Sequence, residues 1–313
     1  MTNGKIFIIG AGAIGKVLAV ALTWAGREVV LLRGSVDNQP RRVEQFHVEL
    51  PDHSELRAEV PVDTLGHFAT LNGLIVLTNK SYGNAALAEA LRAKAGASPI
   101  LLLQNGLGVE QPFLAQGFSE VYRCVLFATS QALDANRLRF KPVAVSAVGT
   151  VAGSAATLQR VVAGVNSPVF PFRAEPDIGP VIWKKAIINS VFNSVCPLLE
   201  TDNGVFHREP AALAIARRVI HECVAVAQAS GIHLGTQEVE AGLLQISTAS
   251  DGQLISTLQD IRNGRRTEID TLNFEVVRIA ETLGRGDLVP ETRLLGELTK
   301  LKADRAQSSG ETI

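Results

Sequence analysis

Three glycines constrain this chain more than any other feature. Gly10, Gly12 and Gly15 follow a short apolar run, KIFII (5–9), and open a stretch of helical composition from Ala13 to Ala25. In such a G-x-G-x-x-G turn the first glycine permits the tight bend, the second lets backbone approach a pyrophosphate, and the third lets helix pack on strand. Gly26 then stops the helix before a second strand, EVVLLR (28–33), which completes a β-α-β unit. A helix N-terminus is a natural seat for phosphate, so the loop residues Gly10, Ala11, Gly12, Ala13, Ile14 and Gly15 are the candidate dinucleotide cradle. The bland alternative is a tight turn with no ligand.

The end of the second strand predicts which dinucleotide. An NAD-specific sheet usually places Asp or Glu there to hold the ribose hydroxyls, whereas this chain has Arg33. A guanidinium favours a 2′-phosphate through paired, charge-assisted hydrogen bonds, so the expectation is NADP(H). Arg33 as a solvated strand-end charge, or Asp37 folding back toward the ribose, would keep NAD open.

Further strands are expected at GLIVLTN (73–79), PILLLQN (99–105) and VYRCVLFAT (121–129), with helices near 83–95 and 109–115. Strands alternating with helices imply a parallel, doubly wound sheet of Rossmann type, whose ligand crevice lies at the carboxyl ends of the strands. Lys80 in TNKSYG (78–83) and Asn105 in QNGLG (104–108) fall at two such ends. Residues 135–150 alternate like a hairpin added at one edge, and SPVFPFRAEPDIGP (167–180), with four prolines, reads as the domain boundary. Beyond it the texture is helical, at 181–200, 209–230, 236–248, a long stretch from about 253 to 284, and 290–302. The expected organisation is a Rossmann-type domain over 1–174 and an all-helical domain over 175–313, with 303–313 a disordered tail.

Bulk properties exclude several classes. With 313 residues the chain has material for two cores, and a net charge of −1 leaves no electrostatic footprint for nucleic acid. Cys124, Cys196 and Cys223 form no metal-binding spacing and no even disulfide framework, which fits a reducing cytoplasm and no metal. The N-terminal apolar run superficially resembles an export signal, but Lys16 interrupts it and the glycines have another use. No other run approaches the roughly 20 apolar residues of a membrane span.

The second candidate site lies in VIWKKAIINSVFNSVCPLL (181–199), where Lys185, Asn189 and Asn193 recur every four residues among Ile, Val, Phe and Ala. Residues four apart share one side of a helix. A lysine and two amides on an otherwise apolar helix are costly unless hydrogen-bonded. Either they bond to neighbouring helices and backbone, or they line a cleft in which lysine protonates a carbonyl as hydride arrives and the amides hold substrate oxygens. A further segment, STLQDIRNGRRTEIDTLN (256–273), adds Ser256, Asp260, Glu268 and Asn273. A straight helix would turn Ser256 and Glu268 apart by roughly a third of a turn, unless Asn263-Gly264 breaks it.

Taken together, GAGAIG, NKSYG, QNGLG, WKKAIINSVFN, DNG (202–204) and STLQDIRNGRRTEID resemble, in this order and spacing, the ketopantoate reductase family, over residues 5 to 302. The resemblance implies NADPH-dependent reduction of 2-dehydropantoate to pantoate in coenzyme A biosynthesis, by a Rossmann domain and a helical domain around a cleft. It implies that Lys185 is the general acid and that Glu268 positions lysine and substrate. Asn105, Asn189, Asn193, Asn203 and Ser256 would contact substrate, Asn105 also lying near the nicotinamide. Gly10, Gly12, Gly15, Arg33 and Lys80 would bind the dinucleotide. Lys184 beside Lys185, Gly83 where relatives often carry glutamine, and Phe274 where glycine is common are departures that bear on the pocket. Other readings are a reductase of another small 2-oxoacid and a non-catalytic NADPH-binding regulator. The expected partner is a small-molecule 2-oxoacid, with a homodimer possible and no nucleic acid or membrane.

Overall fold

The computed structural model describes residues 4–34 and 39–310, so Asp37 lies outside the described residues. By its contacts the chain divides into two compact units. One comprises the residues up to Gln104 together with Val109–Ile178; the other comprises Asn105–Gly108 together with the residues from Gly179 onward. The division falls four residues beyond the expected boundary at 174, and it assigns Asn105–Gly108 to the helical unit while Gln104 stays with the strand unit.

The first unit is built on one mixed sheet. Its strands are β1 (Lys5–Ile9), β2 (Val29–Arg33), β3 (Arg42–Glu49), β4 (Glu55–Thr64), β5 (Gly73–Leu77), β6 (Ile100–Leu102), β7 (Val121–Val125), β8 (Ala128–Ala132), β9 (Arg137–Pro142), β10 (Ser146–Ala152) and β11 (Phe172–Ala174). They lie in the order β11-β10-β7-β6-β5-β1-β2-β4-β3-β9-β8. From β7 to β4 every pairing is parallel, which is the doubly wound core. Its helices are α1 (Ala13–Trp24), α2 (Asn84–Arg92), α3 (Gln111–Ala115) and α4 (Ala155–Val165).

Strand alternation sends Ile6, Ile8 and Leu31 into a core layer with α1 and α4, and Phe7, Ile9, Val30 and Leu32 into an opposite layer with α2 and α3. Because both faces are covered, these strands read as unbroken apolar runs. The order reverses at β1, flanked by β2 and β5, and this is the switch point at which such sheets bind ligands.

Two sequence expectations for this unit need correction. β9 and β10 do not form a hairpin: β9 pairs with β8 and β3, while β10 pairs with β7 and β11, at opposite parts of the sheet. The run 121–129 splits because VYRCV is buried on both faces whereas ATSQA is mostly exposed. The unit also contains the long hairpin β3-β4 and the helix α4, beyond the elements expected from sequence. Yet Leu56, Ala58, Val60 and Val62 alternate as a half-buried strand should, and Ser154 caps α4 by accepting from the Thr157 amide.

The helical unit contains α5 (Ile178–Leu199), α6 (Val205–Arg208), α7 (Pro210–Ala229), α8 (Thr236–Ala249), α9 (Ser256–Arg262), α10 (Asn273–Thr282) and α11 (Pro290–Gly310). Ile187, Val191, Phe192 and Val195 of α5 form the centre of a core that includes Val219, Ile220 and Cys223 of α7, Leu243 of α8 and Val276 of α10. Leu107 belongs to the same core, which anchors the Asn105–Gly108 loop.

The long helical stretch expected at 253–284 is broken. α9 ends at Arg262, Gly264 takes φ +63°, and α10 starts only at Asn273. Of the tail expected to be disordered over 303–313, the part up to Gly310 is helical, since α11 continues to Gly310 and its Ala303 is buried, while 311–313 lie outside the described residues.

Candidate active site

The glycine turn is shaped as the motif predicts. Gly10 has φ +121°, and a side chain there would meet the Asn79 amide nitrogen at 2.5 Å. A Cβ on Gly15 would fall 2.0 Å from the Gly10 carbonyl oxygen, so α1 starts directly against the strand end. A Cβ on Gly12 would enter open space, and α1 has no side-chain cap at its N-terminus. Thr78 reinforces the turn by donating its hydroxyl to the Gly10 carbonyl at 2.8 Å. Asn79 Oδ1 is buried with no hydrogen-bond partner, an acceptor left beside this open backbone. These are the features a pyrophosphate and ribose require, and the residues present fit a dinucleotide.

Lys80 is exposed just beyond β5. Its loop is held by reciprocal amide bonds: Asn84 Nδ2 donates to Gln104 Oε1 at 2.7 Å, and Gln104 Nε2 donates to Asn84 Oδ1 at 2.8 Å. Gln104 Nε2 also donates to the Asn79 carbonyl at 2.9 Å. Gly83 lies in the short turn between β5 and α2, and a side chain there would approach only Asn79 Nδ2, at 4.0 Å. Arg33 ends β2 as expected, with its guanidinium on Glu44 of β3.

In the helical unit the structure distinguishes the two adjacent lysines. Lys184 Nζ lies 2.8 Å from Glu238 Oε1 of α8, an exposed ion pair. Lys185 falls on the stripe with Asn189; both are half-buried, while Asn193 is buried. Asn193 Nδ2 donates to the Asn189 carbonyl at 2.9 Å, and Asn193 Oδ1 accepts from Thr257 Oγ1 at 2.7 Å. The first residue of α9, Ser256, is exposed beside that bond.

Asn203 is tied to the same region, since its amide donates to the Gln253 carbonyl at 2.9 Å and its carbonyl accepts from Ser247 Oγ at 2.7 Å. Its side-chain Oδ1 is buried with no partner. Asp202 pins the turn by accepting from the amides of Gly204 at 2.7 Å and Gly252 at 3.2 Å. The Arg208 guanidinium on Asp202, together with those amides, holds its carboxyl well below the ordinary aspartate range, at about 2.

A second grouping sets the loop that carries Asn105 against the turn that follows Glu268. The Leu107 amide donates to the Thr271 carbonyl at 2.8 Å, and Thr271 in turn donates its amide to the Glu268 carbonyl at 3.1 Å. Gly106, at φ +95°, lies so close that a Cβ would meet the Thr271 carbonyl oxygen at 2.5 Å. Asn273 belongs elsewhere: it is fully buried and donates to the Thr292 carbonyl of α11 at 3.2 Å. Phe274 lies against Gly296 of α11, its ring 3.5 Å from where a Cβ would stand.

Sequence reading missed Thr257, Asn79, Gln104 and Asp202, whose roles are to hold their neighbours. Only adjacency to motif residues could have flagged them. Burial pushes the thiols of Cys196 and Cys223 up to about 12, which keeps them protonated and poor nucleophiles. Among the described residues no cluster of His, Cys, Asp and Glu could hold a metal ion, and no helix is long and apolar enough to cross a membrane.

A Rossmann-type sheet with an open glycine turn, followed by a helical unit carrying a lysine and amides on one helix side, defines a nicotinamide-dependent oxidoreductase. The chain belongs to the ketopantoate reductase PanE/ApbA family, whose model matches residues 6–151 and whose C-terminal model matches residues 177–303. It is 27% identical over 281 residues to a 2-dehydropantoate 2-reductase of Pyrococcus abyssi, covering 89% of this chain and 92% of that one. It superposes with a TM-score of 0.83, at 26% identity, on the crystal structure of a PanE/ApbA family ketopantoate reductase from Ralstonia eutropha JMP134, covering 97% of this chain and 99% of the other. A D-mandelate dehydrogenase solved with NADH and anilino(oxo)acetate shares the fold, with a TM-score of 0.81 at 21% identity over 96% of this chain and 99% of its own.

Proposed function

We propose that this chain reduces 2-dehydropantoate to pantoate with NADPH. What carries the reading, within this family, is the division of the lysine pair: Lys184 is drawn to Glu238 while Lys185 keeps register with Asn189 and Asn193. The bound cofactor supplies hydride. Negative charge then builds on the substrate's carbonyl oxygen, and Lys185 donates a proton to it, with Glu268 orienting the ammonium. The open glycine turn, Arg33 and Lys80 bind the dinucleotide. Asn105, Asn189, Asn203 and Ser256 bond the substrate's carboxylate and hydroxyl oxygens.

Asn193 has its oxygen and one N–H engaged already, so it acts mainly by fixing Ser256 through Thr257. Asn203 Oδ1, a buried acceptor without a partner, supports a substrate that brings a hydroxyl donor. The hydroxymethyl group of 2-dehydropantoate is such a donor, and 2-oxoisovalerate lacks it.

The same reading includes a second copy of the chain as partner, for which exposed Leu294, Leu298 and Leu301 on one side of α11 offer an apolar face, and a reducing cytoplasmic setting consistent with three free, buried cysteines. The test is product analysis. NADPH deuterated at the transferable position should give pantoate labelled at C2, and failure to form pantoate would end this reading.

A further inference from the structure

We propose that Glu44 sets how strongly this chain discriminates NADPH from NADH, by holding the guanidinium that a 2′-phosphate needs. The proposal rests on the cofactor reading above and assigns a specificity role to a residue outside the glycine turn and the end of β2. Arg33 ends β2 opposite Thr64 of β4, and Glu44 stands in β3 opposite Val60 of the same β4. Leu31 and Phe46, each two residues away, are buried in the core layer that contains α1. Strand alternation therefore sends Arg33 and Glu44 to that same side of the sheet. Their side chains reach over β4 and meet as an ion pair, Arg33 Nη2 on Glu44 Oε1, with 22% and 23% of each side chain exposed.

In dinucleotide-binding sheets an acid at the end of the second strand accepts from the ribose hydroxyls of NAD, and an arginine there takes the 2′-phosphate of NADP. This chain places both chemistries at one position, and each partly masks the other. A 2′-phosphate gains Arg33 only by sharing it with a carboxylate or drawing it away, which leaves two anions around one cation. A 2′-hydroxyl meets no such repulsion, and a carboxylate has a second oxygen with which to accept from it. Specificity is a difference of two affinities. Glu44 lowers one and supports the other, so the preference for NADPH is compressed below what an unpaired arginine would give.

The test is calorimetric titration of NADP⁺ and NAD⁺ into the parent, Glu44→Gln, Arg33→Ala and the double variant, with thermal melting of each to confirm the fold. Glu44→Gln should tighten NADP⁺ by about fivefold or more while NAD⁺ stays level or weakens. In the Arg33→Ala background the same substitution should have no such effect, because the carboxylate acts through the guanidinium. An NADP⁺ to NAD⁺ ratio unchanged by Glu44→Gln, or changed equally in the Arg33→Ala background, overturns the proposal and leaves the cofactor reading standing. If the parent binds the two alike and Arg33→Ala alters neither, the cofactor reading fails and the proposal with it.

Discussion

Thr257 donates its hydroxyl to Asn193 Oδ1 at 2.7 Å, and both residues are almost fully buried. The bond ties the start of α9, where Ser256 is exposed, to the polar stripe of α5. Thr257→Val keeps shape and removes the donor, so it should cost about 1 kcal/mol of stability. It should also raise KM for the 2-oxoacid severalfold with little change in NADPH affinity, and Thr257→Ser should restore KM. A KM unchanged in Thr257→Val would show that the bond is scaffold only.

The two lysines separate site from surface. Lys185→Ala should retain fold and NADPH affinity and lose at least about a hundredfold in kcat, the lower end of what positioned acid catalysis contributes. Lys184→Ala removes an ion pair whose side chains are 33% and 58% exposed, and such pairs are worth about 0 to 1 kcal/mol. Its kcat should stay near the parent's. Steady-state kinetics with thermal melts on both variants distinguishes the outcomes, and a lower Tm with intact kcat in Lys185→Ala would make the stripe structural.

Gly106 joins the Asn105 loop to the Glu268 turn by contact. Alanine there would combine a left-handed backbone with a Cβ 2.5 Å from the Thr271 carbonyl oxygen, which must shift. Gly106→Ala should destabilise by about 1 to 3 kcal/mol and lower kcat/KM, whereas Gly117→Ala, at φ +80° but in open space, should cost stability alone. Denaturant titration and kinetics on the pair provide the comparison.

Asp202 makes the DNG turn sensitive to acid. Its folded value of about 2 lies below the ordinary 3.8, so its contribution is complete above the ordinary value and is lost as pH falls through the folded one. The side chain is 24% exposed, and solvent screening reduces the contribution to on the order of 1 kcal/mol. Asp202→Asn should therefore be less stable than the parent by that amount at pH 7, with the gap closing between pH 4 and pH 2 in denaturant titrations.

Much of the fold was legible because its signals are local. The glycine turn, the apolar parallel strands and the four-residue polar register each follow from neighbours in sequence. The hairpins β3-β4 and β8-β9 are local and their signals were present in the sequence, whereas the pairing of β9 with β3 joins His47 to Arg137 and depends on a distant partner. Lys185 and Asn189 could be read from spacing. The docking of Leu107 on Thr271 and the bond from Thr257 to Asn193 could not, since residues 164 and 64 positions apart meet only once the helices pack.

The most direct measurement is kcat/KM for NADPH oxidation with 2-dehydropantoate against 2-oxoisovalerate, which differ by the hydroxymethyl group. If Asn203 takes the substrate hydroxyl as proposed, 2-dehydropantoate should be favoured by at least about a hundredfold, and Asn203→Ala should erase most of that margin. Equal efficiencies, or a preference for 2-oxoisovalerate, would contradict the assignment of 2-dehydropantoate as substrate.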